Sequence, residues 1–145
     1  MICQATQENL PAAAALAAQL FQDNPPEELS SELAELIDNA DAAVFLCTIE
    51  DQPIGFAQCQ LRRDYVEGTH TSPVGYLEGI YVAPDFRGQG CAKALLSACE
   101  QWAKAQGCTE FASDCELDNG GSLAFHLKAG FTEANRIICF TKSLS

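Results

Sequence analysis

Positive charge is scarce in this sequence. Eight Lys and Arg stand against twenty Asp and Glu, a formal charge of −12. No base precedes Arg62, whereas ten acids do. Neutralising phosphates needs a basic patch, so nucleic acid is not an expected partner. A cationic small molecule suits the balance better. Histidine is also rare: with only His70 and His126, and no C-x-x-C spacing among eight cysteines, no zinc set assembles and no metal is expected. No apolar run approaches a membrane span, so no membrane partner is expected. The start Met1-Ile2-Cys3-Gln4-Ala5 has no cationic stretch leading into an apolar one. A cytoplasmic protein with reduced, mostly core-packed cysteines follows from that reading.

What is present is enough for one folded domain. The 145 residues, 48 % apolar, give a single domain over residues 1–145. Met1–Ala5 reads as a short strand. Asn9 is placed to cap a helix through Phe21, with Pro11 in its first turn. A second helix, about Glu27–Ala40, carries Leu29, Leu33, Leu36 and Ile37 as its stripe. Ala42–Ile49 and Ile54–Leu61 read as a hairpin, and Asp64–Pro73 as a polar loop. Val74–Val82 is a third clear strand. Gly90–Gly107 is the best helix, with Leu95, Leu96, Cys99, Trp102 and Ala103 at helical spacing. Cys108–Ser113 reads as a strand, Ser122–Ala129 as a helix closed by Gly130, and Ile137–Lys142 as a last strand. Helices interleaved with strands and hairpins imply an α/β fold with a mixed sheet.

The strongest local signal runs from Ile80 to Ala92. A strand ends, Pro84 marks a turn, and Arg87-Gly88-Gln89-Gly90-Cys91-Ala92 enters the long helix. Helix N-termini offer unpaired N–H groups to a pyrophosphate, and Arg87 adds a bidentate cation. The pattern is neither Gly-x-Gly-x-x-Gly nor a Walker loop. Its Arg-x-x-Gly-x-Ala resembles the acetyl-CoA pyrophosphate loop of the GNAT N-acetyltransferase superfamily. Asn119-x-x-Ser122-x-x-Phe125-His126 and Gly130-Phe131 resemble that superfamily's second motif, with His126 where Tyr is usual. Asp64-Tyr65-Val66-Glu67-Gly68, Tyr76-Leu77-Glu78-Gly79-Ile80-Tyr81-Val82 and Glu110-Phe111-Ala112-Ser113-Asp114 are similar to the aminoglycoside 6′-N-acetyltransferase branch. That likeness is close from Asp64 onward and loose before it.

The resemblance implies a GNAT acyltransferase fold, with a mostly antiparallel sheet flanked by helices, and acetyl transfer from acetyl-CoA to the 6′-amine of an aminoglycoside. It places Phe21, Tyr65, Glu78, Asp114 and Asn135 at the acceptor, although relatives carry Trp near Phe21 and often an acid at Asn135. It places Ile80, Tyr81 and Val82 along the acetyl-pantetheine arm, Arg87–Ala92 at the pyrophosphate, and Asn119 and His126 by CoA. It further implies a homodimer.

The residue types suit the chemistry. Attack on a thioester needs a neutral amine, a polarised carbonyl and a proton for the leaving thiolate. Backbone N–H groups at Ile80–Val82 are donors for the carbonyl, and holding both substrates together removes the need for an enzyme nucleophile. Asp114 is the favoured general base, with Glu78 as a binder and a possible base through water. The thiolate's proton is assigned to His126, to a tyrosine or to solvent. Simpler roles stand beside these: Glu78 as a strand-edge charge, Asp114 as a turn cap, and the acids of Glu27–Asp41 as a solvated face. Two other functions use the same residues. One is acetylation of a polyamine or other small cationic amine; the other is a non-catalytic acetyl-CoA sensor.

Overall fold

The computed structural model describes residues 1–145. Five strands form one sheet in sequence order: β1 (Ile2–Gln4), β2 (Ala42–Ile49), β3 (Gln52–Arg62), β4 (Val74–Val82) and β5 (Phe111–Ser113). The first three pairings are antiparallel and only β4–β5 is parallel. The expected mixed, mostly antiparallel sheet is present. Helices α1 (Leu10–Leu20), α2 (Pro26–Asp38), α3 (Cys91–Ala105) and α4 (Gly120–Lys128) flank it. None is long and apolar enough to cross a membrane.

Alternation along the central strands divides the core into two faces. Phe45, Ala57, Cys59 and Leu77 meet Leu95, Leu96 and Cys99 of α3 on one face. Val44, Leu46 and Phe56 meet Ala13 and Ala17 of α1 and Leu33 of α2 on the other. Truncating a fully buried member such as Leu95 to Ala removes about 2–5 kcal/mol of stability. The β2–β3 hairpin turns on Glu50 and Asp51, both at positive φ (51° and 63°). That is the two-residue turn whose twist matches the strands, so β3 begins at Gln52, earlier than the apolar run suggested. All eight cysteines are free thiols, five of them buried, as the apolar runs implied.

Three expectations change. Asn9 stands at the N-cap position of α1 as expected, but its side chain makes no cap bond to the helix. Its Oδ1 instead accepts the Thr6 N–H at 2.7 Å, closing the short 3₁₀ turn that precedes the helix. β5 is only Phe111–Ser113, because its ladder to β4 spans three residue pairs. No strand forms over Ile137–Lys142. The segment 132–145 finds no ladder within its own chain and leaves Ile137, Ile138, Phe140 and Leu144 at 66–89 % exposure.

Candidate active site

The site is built on a defect in β4. Gln58 of β3 faces Gly79 and its neighbour Cys59 faces Leu77, so Glu78 is an extra residue with nothing opposite. The bulge resets the alternation. Leu77 and Ile80 pack toward α3, while Glu78 and Gly79 both turn toward α1 and α2. An acid within an apolar strand therefore enters a cleft. This cavity, of about 250 Å³, is lined by Phe21, Asn24, Glu32, Gln58 and Glu78, with Ala17, Leu29, Leu33 and Leu36 behind them. Gly79 makes room for Phe21, since a Cβ there would lie 3.0 Å from the Phe21 ring.

The other edge of β4 opens at the same point. Pairing to β5 ends at Leu77–Ser113, so Glu78–Val82 have no strand beside them on that edge. The two parallel strands part like a wedge with Asp114 at its throat. Backbone groups on an unpaired edge seek partners, which fits a donor to a thioester carbonyl at Ile80–Val82.

At the far end of β4 the chain turns into α3. Gly88 and Gly90 sit at φ 81° and 86°, and a Cβ on either would meet nothing within 4 Å. The loop backbone is thus open to an anion at the start of a fifteen-residue helix. Arg87 Nε donates to the Val82 carbonyl at 2.8 Å and its guanidinium stands 5.6 Å from the Tyr81 ring centre, which ties the cation to the end of β4. Cys91 is buried beside Cys47, so only its backbone faces the loop; burial pushes the Cys47 thiol up to about 11.

On α4, Asn119 Oδ1 accepts the Ser122 N–H at 3.0 Å and caps the helix. His126 Nδ1 lies 2.7 Å from the Ser122 carbonyl and must donate there, while Nε2 shares a hydrogen bond with the Ser113 hydroxyl at 2.8 Å. The ring is therefore fixed next to the β5 end of the wedge, packed against Phe125 and Phe131.

The acids do not stand alone. Arg62, at the end of β3, forks onto Glu78: Nε to Oε2 at 3.0 Å and Nη2 to Oε1 at 2.7 Å. The same guanidinium lies 3.4 Å above the Tyr76 ring. The Tyr76 hydroxyl in turn donates to Asp114 Oδ2. Burial, followed by the bond to Asp114, raises the tyrosine above its ordinary pKa and keeps it a proton donor. The bond to Glu78 raises Arg62 above its own.

Phe21 and Glu78 thus share one cleft, and Asp114 joins Glu78 through Tyr76 and Arg62. Tyr65 and Asn135 do not line that cavity. Tyr65 is 76 % exposed on the loop after β3, and Asn135 Nδ2 donates to Glu67 Oε1 of the same loop at 3.0 Å. Arg62 and Glu32 lie in no motif read from the sequence, and Tyr76 opens the Tyr76–Val82 motif without a role assigned to it. The ladder brings two of them together: Arg62 aligns with Val74, and Tyr76 is two residues on, so both share the Glu78 face. No cluster of His, Cys, Asp or Glu suited to a metal forms.

The profile of the acetyltransferase (GNAT) family matches residues 11–131. The chain belongs to that family. The aminoglycoside N(6′)-acetyltransferase type 1 of Stenotrophomonas maltophilia is 42 % identical, over 99 % of this chain and 93 % of that one. The type 1 enzyme of Serratia marcescens is 37 % identical over 99 % of both. The solved structure of AAC(6′)-Iy with the bisubstrate analogue CoA-S-monomethyl-acetylneamine superposes with a TM-score of 0.95, at 35 % identity over 99 % of this chain and 98 % of that one. The apo AAC(6′)-IG of Acinetobacter haemolyticus gives 0.94, at 37 % identity over 100 % and 99 %. The GNAT fold expected from the motifs is the fold of this chain, and the likeness extends through the N-terminal residues where the motifs were loose.

Proposed function

We propose that this GNAT enzyme transfers the acetyl group of acetyl-CoA to the 6′-amine of aminoglycosides by direct attack in a ternary complex, and so confers aminoglycoside resistance. One observation carries the reading: a single bulged strand presents an open edge on the cofactor side and an acid in a cleft on the acceptor side. The names and complexes of its relatives agree with it. The open backbone of Arg87, Gly88, Gln89, Gly90, Cys91 and Ala92 suits the pyrophosphate. Ile80, Tyr81 and Val82 suit the acyl arm, and Asn119 and His126 close the opposite wall.

On the acceptor side, Phe21 supplies an apolar surface and Glu78 hydrogen-bonds the amino sugar. Tyr65 and Asn135 form an outer rim. Asp114 takes the proton that the ammonium must lose before its lone pair attacks the thioester carbon. Positioning of the two substrates supplies much of the acceleration, since no enzyme nucleophile intervenes.

A cytoplasmic homodimer completes the proposal. The apolar side chains at 137, 138 and 140, exposed on a segment with strand-forming residues, suit burial against a second copy. The decisive assay incubates purified protein with acetyl-CoA and kanamycin. CoA release with addition of one acetyl group to the antibiotic is expected. Faster turnover of polyamines than of any aminoglycoside would overturn the substrate assignment, and CoA binding without turnover on any amine would overturn the enzyme.

A further inference from the structure

Two carboxylates, Glu78 and Asp114, face the acceptor side, and residue type alone gives both the same abilities. Their surroundings differ. Both Glu78 oxygens are taken by the Arg62 fork, at 2.7 and 3.0 Å, in a half-buried position with 19 % of the acid's side chain exposed. A bidentate pair is a fixed, net-neutral unit. Asp114 receives only the neutral hydroxyl of Tyr76 and makes no ion pair. Its carboxylate stands at the wedge where β4 and β5 separate and feels the Arg62 charge only from beyond ion-pair distance. Arg62 also stacks on the ring of that tyrosine, so one guanidinium holds Glu78 and braces the group that aims Asp114.

We infer that Arg62 is a positioning residue that gives the two acids different roles. It neutralises Glu78, leaving that residue to orient the acceptor, and leaves Asp114 as the proton acceptor. In the step, an N–H bond of the acceptor ammonium breaks, the proton passes to an Asp114 oxygen, and the freed lone pair forms the C–N bond as the carbonyl π electrons move to oxygen. The adduct then collapses, the C–S bond breaks, and the leaving CoA thiolate takes the second proton from the nitrogen to become the thiol, leaving the amide. The inference rests on the acetyltransferase reading and sharpens it, since it names the residue that keeps Glu78 from acting as a second base.

A double-mutant cycle tests it. In the otherwise unaltered enzyme Asp114→Asn lowers kcat about 100-fold or more, the scale of a lost general base. Combined with Arg62→Gln, the same change costs about 10-fold at most, because the released Glu78 accepts the proton instead. Arg62→Lys restores the positive charge and with it the larger cost. Equal costs of Asp114→Asn in all three backgrounds would overturn the assignment, as would a harmless Asp114→Asn. Glu78→Gln supplies a check that does not depend on the folding of Arg62 variants. Its loss is expected in KM, about 10-fold, and a kcat loss matching that of Asp114→Asn would overturn the inference. If the unaltered enzyme turned over no amino sugar, the functional reading would fail separately. Calorimetry would still decide here: Arg62→Gln should bind kanamycin several-fold more tightly through the unmasked Glu78, and unchanged or weaker binding would overturn the role of Arg62.

Discussion

The hydroxyl of Tyr76 bonds Asp114 across the last turn of the β4–β5 ladder, one residue before the two strands part. Tyr76 stands opposite Ala112, so a hydroxyl on β4 sets the direction of a carboxylate that leaves β5. Tyr76→Phe keeps the ring under Arg62 and removes only the donor. We expect kcat to fall about 10-fold with acetyl-CoA KM unchanged, the size of one hydrogen bond to a charged group. Steady-state kinetics with both substrates varied checks it.

The pyrophosphate loop has a backbone requirement at Gly90. At φ 86° a residue with a Cβ is strained by about 1–2 kcal/mol even where space is free. Gly90→Val should raise the KM for acetyl-CoA at least about 10-fold while the acceptor KM moves little. A calorimetric titration with CoA reads the same loss in the absence of acceptor.

Phe21 and Gly79 form a matched pair in the cleft. Gly79→Val places branches where the Phe21 ring and the Leu20 side chain already stand, at 3.0–3.1 Å from the Cβ alone. The ring must move into the space the acceptor needs. The expected result is an acceptor KM raised about 10-fold or more, partly restored in the Gly79→Val, Phe21→Ala double variant, since contacting residues couple.

The loop after β3 is pinned by Glu110, whose carboxylate accepts from the Thr71 hydroxyl and from the His70 N–H at 2.9 Å. Those bonds, the Thr71 hydroxyl first, hold Glu110 below the ordinary carboxylate range. A lowered folded-state pKa means the anchor is complete above the unfolded value, near pH 4.5, and is lost as pH falls through the lower folded value. The protection factors of the His70 and Thr71 amides, measured against the intrinsic exchange rate at each pH, should fall below that window. Glu110→Gln should show the lower protection already at neutral pH, with α3 protection unchanged.

For the C-terminal segment, light scattering should show the proposed homodimer in the unaltered protein and a monomer after Ile138→Glu together with Phe140→Glu. The same pair should leave the β2–β3 core intact by hydrogen exchange, because neither side chain contributes to it.

Much of this architecture was legible in the residues. Strand β4 lies over Val74–Val82, as its apolar run and Pro84 indicated, and α3 needed only Leu95, Leu96, Cys99 and Gly107. What escaped was relational. Nothing local distinguishes Ile137–Lys142 from a paired strand, because pairing depends on an edge elsewhere in space. The Arg62–Glu78 fork depends on a ladder register that a one-residue bulge sets, and a bulge leaves no mark in composition. Glu32 is one acid among many in a helix whose charges are mostly solvated, and only the cleft singles it out.

The bulge also separates two demands on one strand. Strike Glu78 from β4 and the remaining residues alternate without interruption: Leu77 toward α3, Gly79 toward α1, Ile80 toward α3, Tyr81 toward α1. The sheet is therefore complete without its acid. The bulge thus puts an acid in the cleft without disturbing the core-facing alternation on either side of it. Drift at that insertion can retune the acceptor while the cofactor half of the strand keeps its register.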